Sequence, residues 1–132
     1  MTKKYRFSFA KLIRDKLPDI MRAKNINVLD YVMEQEEYVQ ELKQKLLEEA
    51  EEVVAATSES DITEELADIF EVAYALANAY GVSQEEIEKV RLQKRELRGG
   101  FKGRIYTTYV EMDEDNEEKE YYLERPEKYP EM

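Results

Sequence analysis

Residues 46–81, LLEEAEEVVAATSESDITEELADIFEVAYALANAYG, decide the fold. Apolar residues recur at helical spacing on both sides of a polar TSESD break, and Gly81 closes the second run. Extending upstream, Val39, Leu42, Leu46, Ala50 and Val53 predict one amphipathic helix over about Glu34–Ala56. Downstream of the break, Ile62, Leu66, Ile69, Phe70, Ala73, Leu76, Ala77 and Tyr80 predict a second, with Asp61 and Glu64 at capping-box spacing. Two long helices joined by a few polar residues read as an antiparallel hairpin.

Outward from this hairpin, KLIRDKLPDIMRAK (residues 11–24) predicts a basic loop and a short helix starting near Pro18. Ser83 with Glu86 repeats the capping pattern and opens a helix through about Arg98, stopped by Gly99 and Gly100. The class is therefore all-α, with four helical segments in one domain, a core over about residues 11–105 and an acidic tail over about 111–132. Within the tail, Ile105–Glu111 and Glu120–Glu124 have strand composition and predict a small C-terminal β-hairpin around the acidic turn between them.

Composition removes whole classes of chemistry. The chain has neither cysteine nor histidine, so disulfides, thiol nucleophiles, imidazole bases and zinc-thiolate or histidine-bearing metal sites are excluded. Carboxylates, Lys, Arg and Tyr remain, and any metal is a hard cation. No apolar run approaches the roughly 20 residues that span a bilayer, and the N-terminal apolar run is interrupted by Lys11 and Arg14 before a signal-peptide core forms. The expectation is a cytoplasmic protein without a membrane partner.

The net charge of -11 argues against nucleic acid as a partner. Its distribution is uneven: residues 1–24 and 89–104 each sum to +6, residues 34–71 to -12 and residues 111–132 to -7. If the basic segments fold over the acidic middle, a metal site faces a phosphate-binding wall.

Within that acidic middle, Glu49 with Glu52 and Glu65 with Asp68 form two pairs at spacing three. With 31 acidic residues in 132, such a pair alone reads as solvated helix surface. Helical phase makes the difference. Setting Val39 to zero puts Glu49 at about -80° and Glu52 at about -140°; setting Leu66 to zero puts Glu65 at about -100° and Asp68 at about -160°. Both pairs occupy the same flank, and two antiparallel helices with facing stripes bring them to one side of the seam. Four carboxylates there repel unless neutralised, which predicts Mg²⁺, with Mn²⁺ as a substitute. Glu48, at about 180° beside Glu52, is placed to orient an attacking water or act as general base.

Two basic clusters suit phosphate. Lys94 and Arg98 share one helix face, and the Gly99–Gly100 break lets Lys102 or Arg104 turn toward the same ligand. Lys11, Arg14 and Lys16 form the other. The apolar sectors of the two long helices, widened by Leu47, Val54, Phe70 and Tyr74, exceed what one hairpin contact covers, which predicts self-association.

LLEEAEEV (46–53) and EELADIFEVAYALA (64–77) resemble the EExxE and ExxD core of the MazG-like all-α NTP pyrophosphatase superfamily. KLIRDKLP (11–18) and KRELRGGF (94–101) further resemble its phosphoribosyl-ATP pyrophosphohydrolase-like branch. The resemblance implies a metal-dependent enzyme that cleaves a nucleoside triphosphate, or a compound containing one, between the α and β phosphates. It also implies metal ligands at Glu49, Glu52, Glu65 and Asp68, a first motif acid at Glu48, basic positions at Lys94 and Arg98, and a homodimer or homotetramer. The phosphoribosyl-ATP enzyme carries a histidine a few residues after its ExxD; this chain has none, which argues against the histidine-biosynthesis substrate. The rivals are a non-catalytic helical nucleotide-binding or oligomeric interaction protein and an acidic mimic of nucleic acid acting through the tail.

Overall fold

The computed structural model describes residues 3–132 and holds five helices: α1 (Leu17–Arg22), α2 (Gln35–Ala55), α3 (Glu59–Ala79), α4 (Gln84–Arg98) and α5 (Lys119–Leu123). By its internal contacts the chain divides into two compact units, one running to Lys94 and the other starting at Arg95.

In the first unit, α1 carries Pro18 in its first turn, where a helix has no acceptor for the N–H that proline lacks. Beyond its end, Asn25 at φ 62° turns the chain, and the Ile26 N–H reaches back to the Met21 carbonyl at 3.1 Å. Arg22 then ties the connector down by donating to the Val28 carbonyl at 3.2 Å and to Asp30 at 2.7 Å.

Helices α2 and α3 pack against each other as an antiparallel hairpin. At the open end the Gln35 amide donates to the Ala79 carbonyl at 3.0 Å, fixing the start of α2 beside the end of α3. At the closed end Ser58 caps α3, its hydroxyl accepting from the Asp61 N–H at 3.0 Å. The cap is thus Ser58, not the Asp61 expected from the Asp61/Glu64 spacing. Ser58 supplies an oxygen three residues before Asp61 in extended backbone, so the helix starts earlier than the apolar periodicity does. At the other end of α3, Gly81 at φ 74° lets Val82 N–H bond the Ala77 carbonyl at 2.9 Å and Gly81 N–H bond that of Asn78 at 3.0 Å. Ser83 caps α4 through the Glu86 N–H at 3.1 Å, as its spacing predicts.

The hairpin core is thin. Among the described residues only Leu42 (2% exposed) and Glu49 (6%) are fully buried. No helix of the described residues is long and apolar enough to cross a membrane.

In the second unit the expected β-hairpin does not form. No strand occurs among the described residues, and of the segment Glu120–Glu124, read as strand, all but Glu124 lies in the helical turn α5. Local polar chemistry overrides the strand composition: Asn116 Oδ1 accepts from the Glu118 N–H at 2.9 Å, and Lys119 donates to the Glu114 carbonyl at 2.6 Å, which turns the chain into a helix. Tyr121 and Tyr122 then meet Tyr129, with ring centroids 6.0 and 5.0 Å away, and Arg125 lies 4.0 Å over the Tyr121 ring.

Candidate metal centre

Leu42 and Glu49 are seven residues apart on α2, so they share one face. That face looks at α3, and the inner side of α3 supplies Glu65 and Asp68. One carboxylate oxygen from each of Glu49, Glu65 and Asp68 lies within 4.8 Å of the others. The acids sit deeper than the flank predicted for them. The true inner line of α2 runs through Leu42 rather than Val39, and Glu49 lies on it.

The electrostatics are those of a crowded anionic site. Burial pushes the Glu49 carboxyl above its usual range, and the charges of Glu52 and Asp68 push the same way against the pull of Lys45. Glu65 is driven up to about 7, first by its hydrogen-bonding closeness to Glu52, then by burial and by the charges of Glu52 and Glu49. Glu52 is itself solvent-exposed, so it joins the cluster from the rim. Glu49 Oε2 and Glu65 Oε2 are buried with no hydrogen-bond partner. A buried carboxylate oxygen without a donor is unfavourable by an amount comparable to a lost charged hydrogen bond, roughly 1–3 kcal/mol or more. Two such oxygens facing a third carboxylate fit a cation between them.

The N-terminal basic segment does reach this seam. Arg14 donates to Asp68 Oδ1 at 2.6 Å, and Lys11 donates to Glu48 Oε1 at 3.0 Å. Lys45, not singled out by the sequence reading, completes the set: it donates to Glu48 Oε2 at 3.2 Å and lies 3.7 Å from Glu49 Oε1. Its position three and four residues before Glu48 and Glu49 was the available signal. Burial raises the Glu48 carboxyl, but hydrogen bonds from Lys11 and Lys45 and their charges outweigh it and hold the group below its usual range. The bond to Glu48 correspondingly raises Lys11.

Counting the charges in contact, the five carboxylates Glu48, Glu49, Glu52, Glu65 and Asp68 face three cations, Lys11, Arg14 and Lys45. With all five carboxylates ionised, as a bound cation favours, the deficit of two charges is what one divalent ion supplies, and oxygen-only ligands suit a hard one. The residues present therefore fit a divalent metal.

The second basic cluster is not engaged. Lys94 and Arg98 are exposed on α4, and neither makes a side-chain hydrogen bond or ion pair among the described residues. A cavity of about 300 Å³ adjoins Glu48 along one flank of α2, lined in part by Lys11 and Lys45; sequence periodicity gave no sign of it.

Comparison with the curated proteins and with the solved structures gives no match. Residues 15–95, 81 of the 132, match the family described as phosphoribosyl-ATP pyrophosphohydrolase. The matched stretch contains both carboxylate pairs, Arg14's neighbour Asp15 and Lys45, so the hairpin and its acids are the family's own region. The chain belongs to the phosphoribosyl-ATP pyrophosphohydrolase family of the MazG-like all-α NTP pyrophosphatase superfamily, a family of nucleotide pyrophosphohydrolases.

Proposed function

We propose that the protein hydrolyses a nucleoside triphosphate, or a compound containing one, between its α and β phosphates, yielding a monophosphate and pyrophosphate. Mg²⁺, replaceable by Mn²⁺, is held by Glu49, Glu52, Glu65 and Asp68. The observation that carries this reading is the pair of buried, partnerless carboxylate oxygens of Glu49 and Glu65 beside Asp68, in a chain of this family.

The bound ion supplies Lewis-acid neutralisation of the phosphate charge. Glu48, ionised by its two lysines, takes a proton from the attacking water. The water oxygen forms the new bond to the α-phosphorus while the bond to the bridging oxygen breaks, and the electron pair leaves on pyrophosphate. Lys11 and Arg14 exchange their carboxylate partners for phosphate oxygens, and Arg14 offsets the charge on the leaving group. The ion pairs Lys11–Glu48 and Arg14–Asp68 are surface pairs, each worth at most about 1 kcal/mol, so this exchange is easy.

Self-association into a homodimer or homotetramer is part of the same proposal. Leu47 (58% exposed), Val54 (87%) and Phe70 (59%) stay open to solvent on the two central helices, and Phe70 stacks on Tyr74 at 6.4 Å. An apolar surface of this extent beside so thin a core calls for a partner.

The test is a panel of ribo- and deoxyribonucleoside triphosphates incubated with Mg²⁺, the products being separated by chromatography. The expected products are a monophosphate and pyrophosphate, with Glu49→Gln and Asp68→Asn folded but inactive. Release of a diphosphate and inorganic phosphate, or unchanged turnover in both variants, contradicts the assignment.

A further inference from the structure

Four residues of α2, Glu41, Gln44, Lys45 and Glu48, follow one another at offsets of three, four and seven and so form a single stripe along the helix. The segment Ala10–Leu12 lies over this stripe, and the two line the half-open cavity of about 300 Å³. Ala10 holds φ at 46°, in the left-handed region that a residue with a Cβ adopts only where its surroundings impose it. That bend delivers Lys11 to Glu48. Glu48 is thus common wall to the cavity and immediate neighbour in the chain to Glu49 of the acidic centre.

Three properties of the wall decide what it accepts. Its charges cancel, Lys11 and Lys45 against Glu41 and Glu48, so it has no net attraction for a polyphosphate. Hydrogen-bonding groups of both kinds are present: the carboxylates accept, the ammonium groups donate, and the Gln44 amide does both. No aromatic side chain lines it, which removes the stacking by which bases are usually held. Its volume is at the lower end of the roughly 300–1,000 Å³ range of ligand pockets, room for one nucleoside-sized group and not for a whole nucleoside triphosphate.

We propose that this cavity receives the uncharged nucleoside half of the substrate, read through hydrogen bonds to Glu41, Gln44 and Lys45. The phosphates then run past Glu48 toward Glu49, Glu65, Asp68 and Arg14. The inference rests on the pyrophosphohydrolase reading and gives that substrate its direction along α2. Glu41, an acceptor-only group, favours a substrate that presents hydroxyl or amino donors there, as carboxylates that bind ribose hydroxyls do.

Glu41→Gln and Gln44→Ala, made in the full chain, test it, with Gln40→Ala on the exposed side of α2 as the control. Each cavity variant is expected to raise KM for the best nucleotide about tenfold, the loss of one substrate hydrogen bond, with kcat within about twofold. Calorimetric binding of inorganic pyrophosphate with Mg²⁺ should match wild type. A KM unchanged in both variants while turnover persists overturns the proposal, as does weakened pyrophosphate binding, which would make the cavity a seat for the anionic end. If wild type turns over no nucleotide, the enzyme reading fails separately. Calorimetric binding of nucleoside monophosphates then decides the cavity: weaker binding by both variants supports it, and binding equal to wild type overturns it.

Discussion

Leu42 and Glu49 occupy equivalent positions two turns apart on the buried face of α2, and they meet opposite chemistry. At Leu42 the buried side chain is apolar, on a helix that packs against α3. Around Glu49 the same face is carboxylate against carboxylate, with two buried oxygens that no donor reaches. One helix thus buries an apolar side chain in its first half and, in its second half, a carboxylate in a cluster that fits a divalent cation. Burial that stabilises at Leu42 destabilises at Glu49 until a cation arrives.

Substitutions at these two positions sharpen the contrast. The largest effect is expected on turnover: Glu49→Gln keeps the shape and removes the charge, and activity with Mg²⁺ should fall by at least about 100-fold in a product assay. Leu42→Ala should instead act on the fold, lowering stability by about 2–5 kcal/mol in urea denaturation, because little else is buried beside it. Glu49→Leu should reverse the usual sign of a core mutation, raising the stability of the metal-free protein by about 1 kcal/mol or more while removing any stabilisation by Mg²⁺. If Glu49→Leu is destabilising without metal, the two halves of the face are not different in kind.

A pH titration separates the halves again. Glu65 binds its proton up to about pH 7 in the folded protein against an ordinary value of 4.5, and Glu49 is raised as well. Between these values the folded chain holds protons that the unfolded chain has released, so metal-free stability falls as pH rises from 4.5 toward 7 and levels off above it. Mg²⁺ affinity should run the other way, strengthening as Glu65 deprotonates. Denaturation at several pH values with and without Mg²⁺ checks both slopes. The smallest effect is expected at the closed end of the hairpin, where Ser58→Ala removes the cap of α3 and should lower stability by about 1 kcal/mol without changing turnover.

Much of this arrangement was legible in the sequence. Periodicity and Gly81 locate α2, α3 and α4, and the two spacings of three include Glu49, Glu65 and Asp68, whose carboxylates lie together, while Glu52 stands at the rim. The phase was set by Val39, which placed Glu49 on a flank; only the packing shows that Leu42 marks the inner line. Lys45 was hidden because lysine and glutamate three or four residues apart read equally well as a solvated helix-surface pair. The cavity needs the bend at Ala10, a backbone conformation that no side-chain pattern announces. The tail misled for a related reason: the tyrosines of EYYLE carry strand propensity, but the Asn116 turn and the Lys119 contact are decided by local hydrogen bonds.

The most direct test of the metal centre is calorimetric titration of the metal-free protein with Mn²⁺ and Mg²⁺ at a pH above 7, repeated on Glu65→Gln and Asp68→Asn. Saturable binding by wild type with proton release, lost or weakened at least about tenfold in both variants, is the expected result. Equal binding by wild type and both variants would contradict the account.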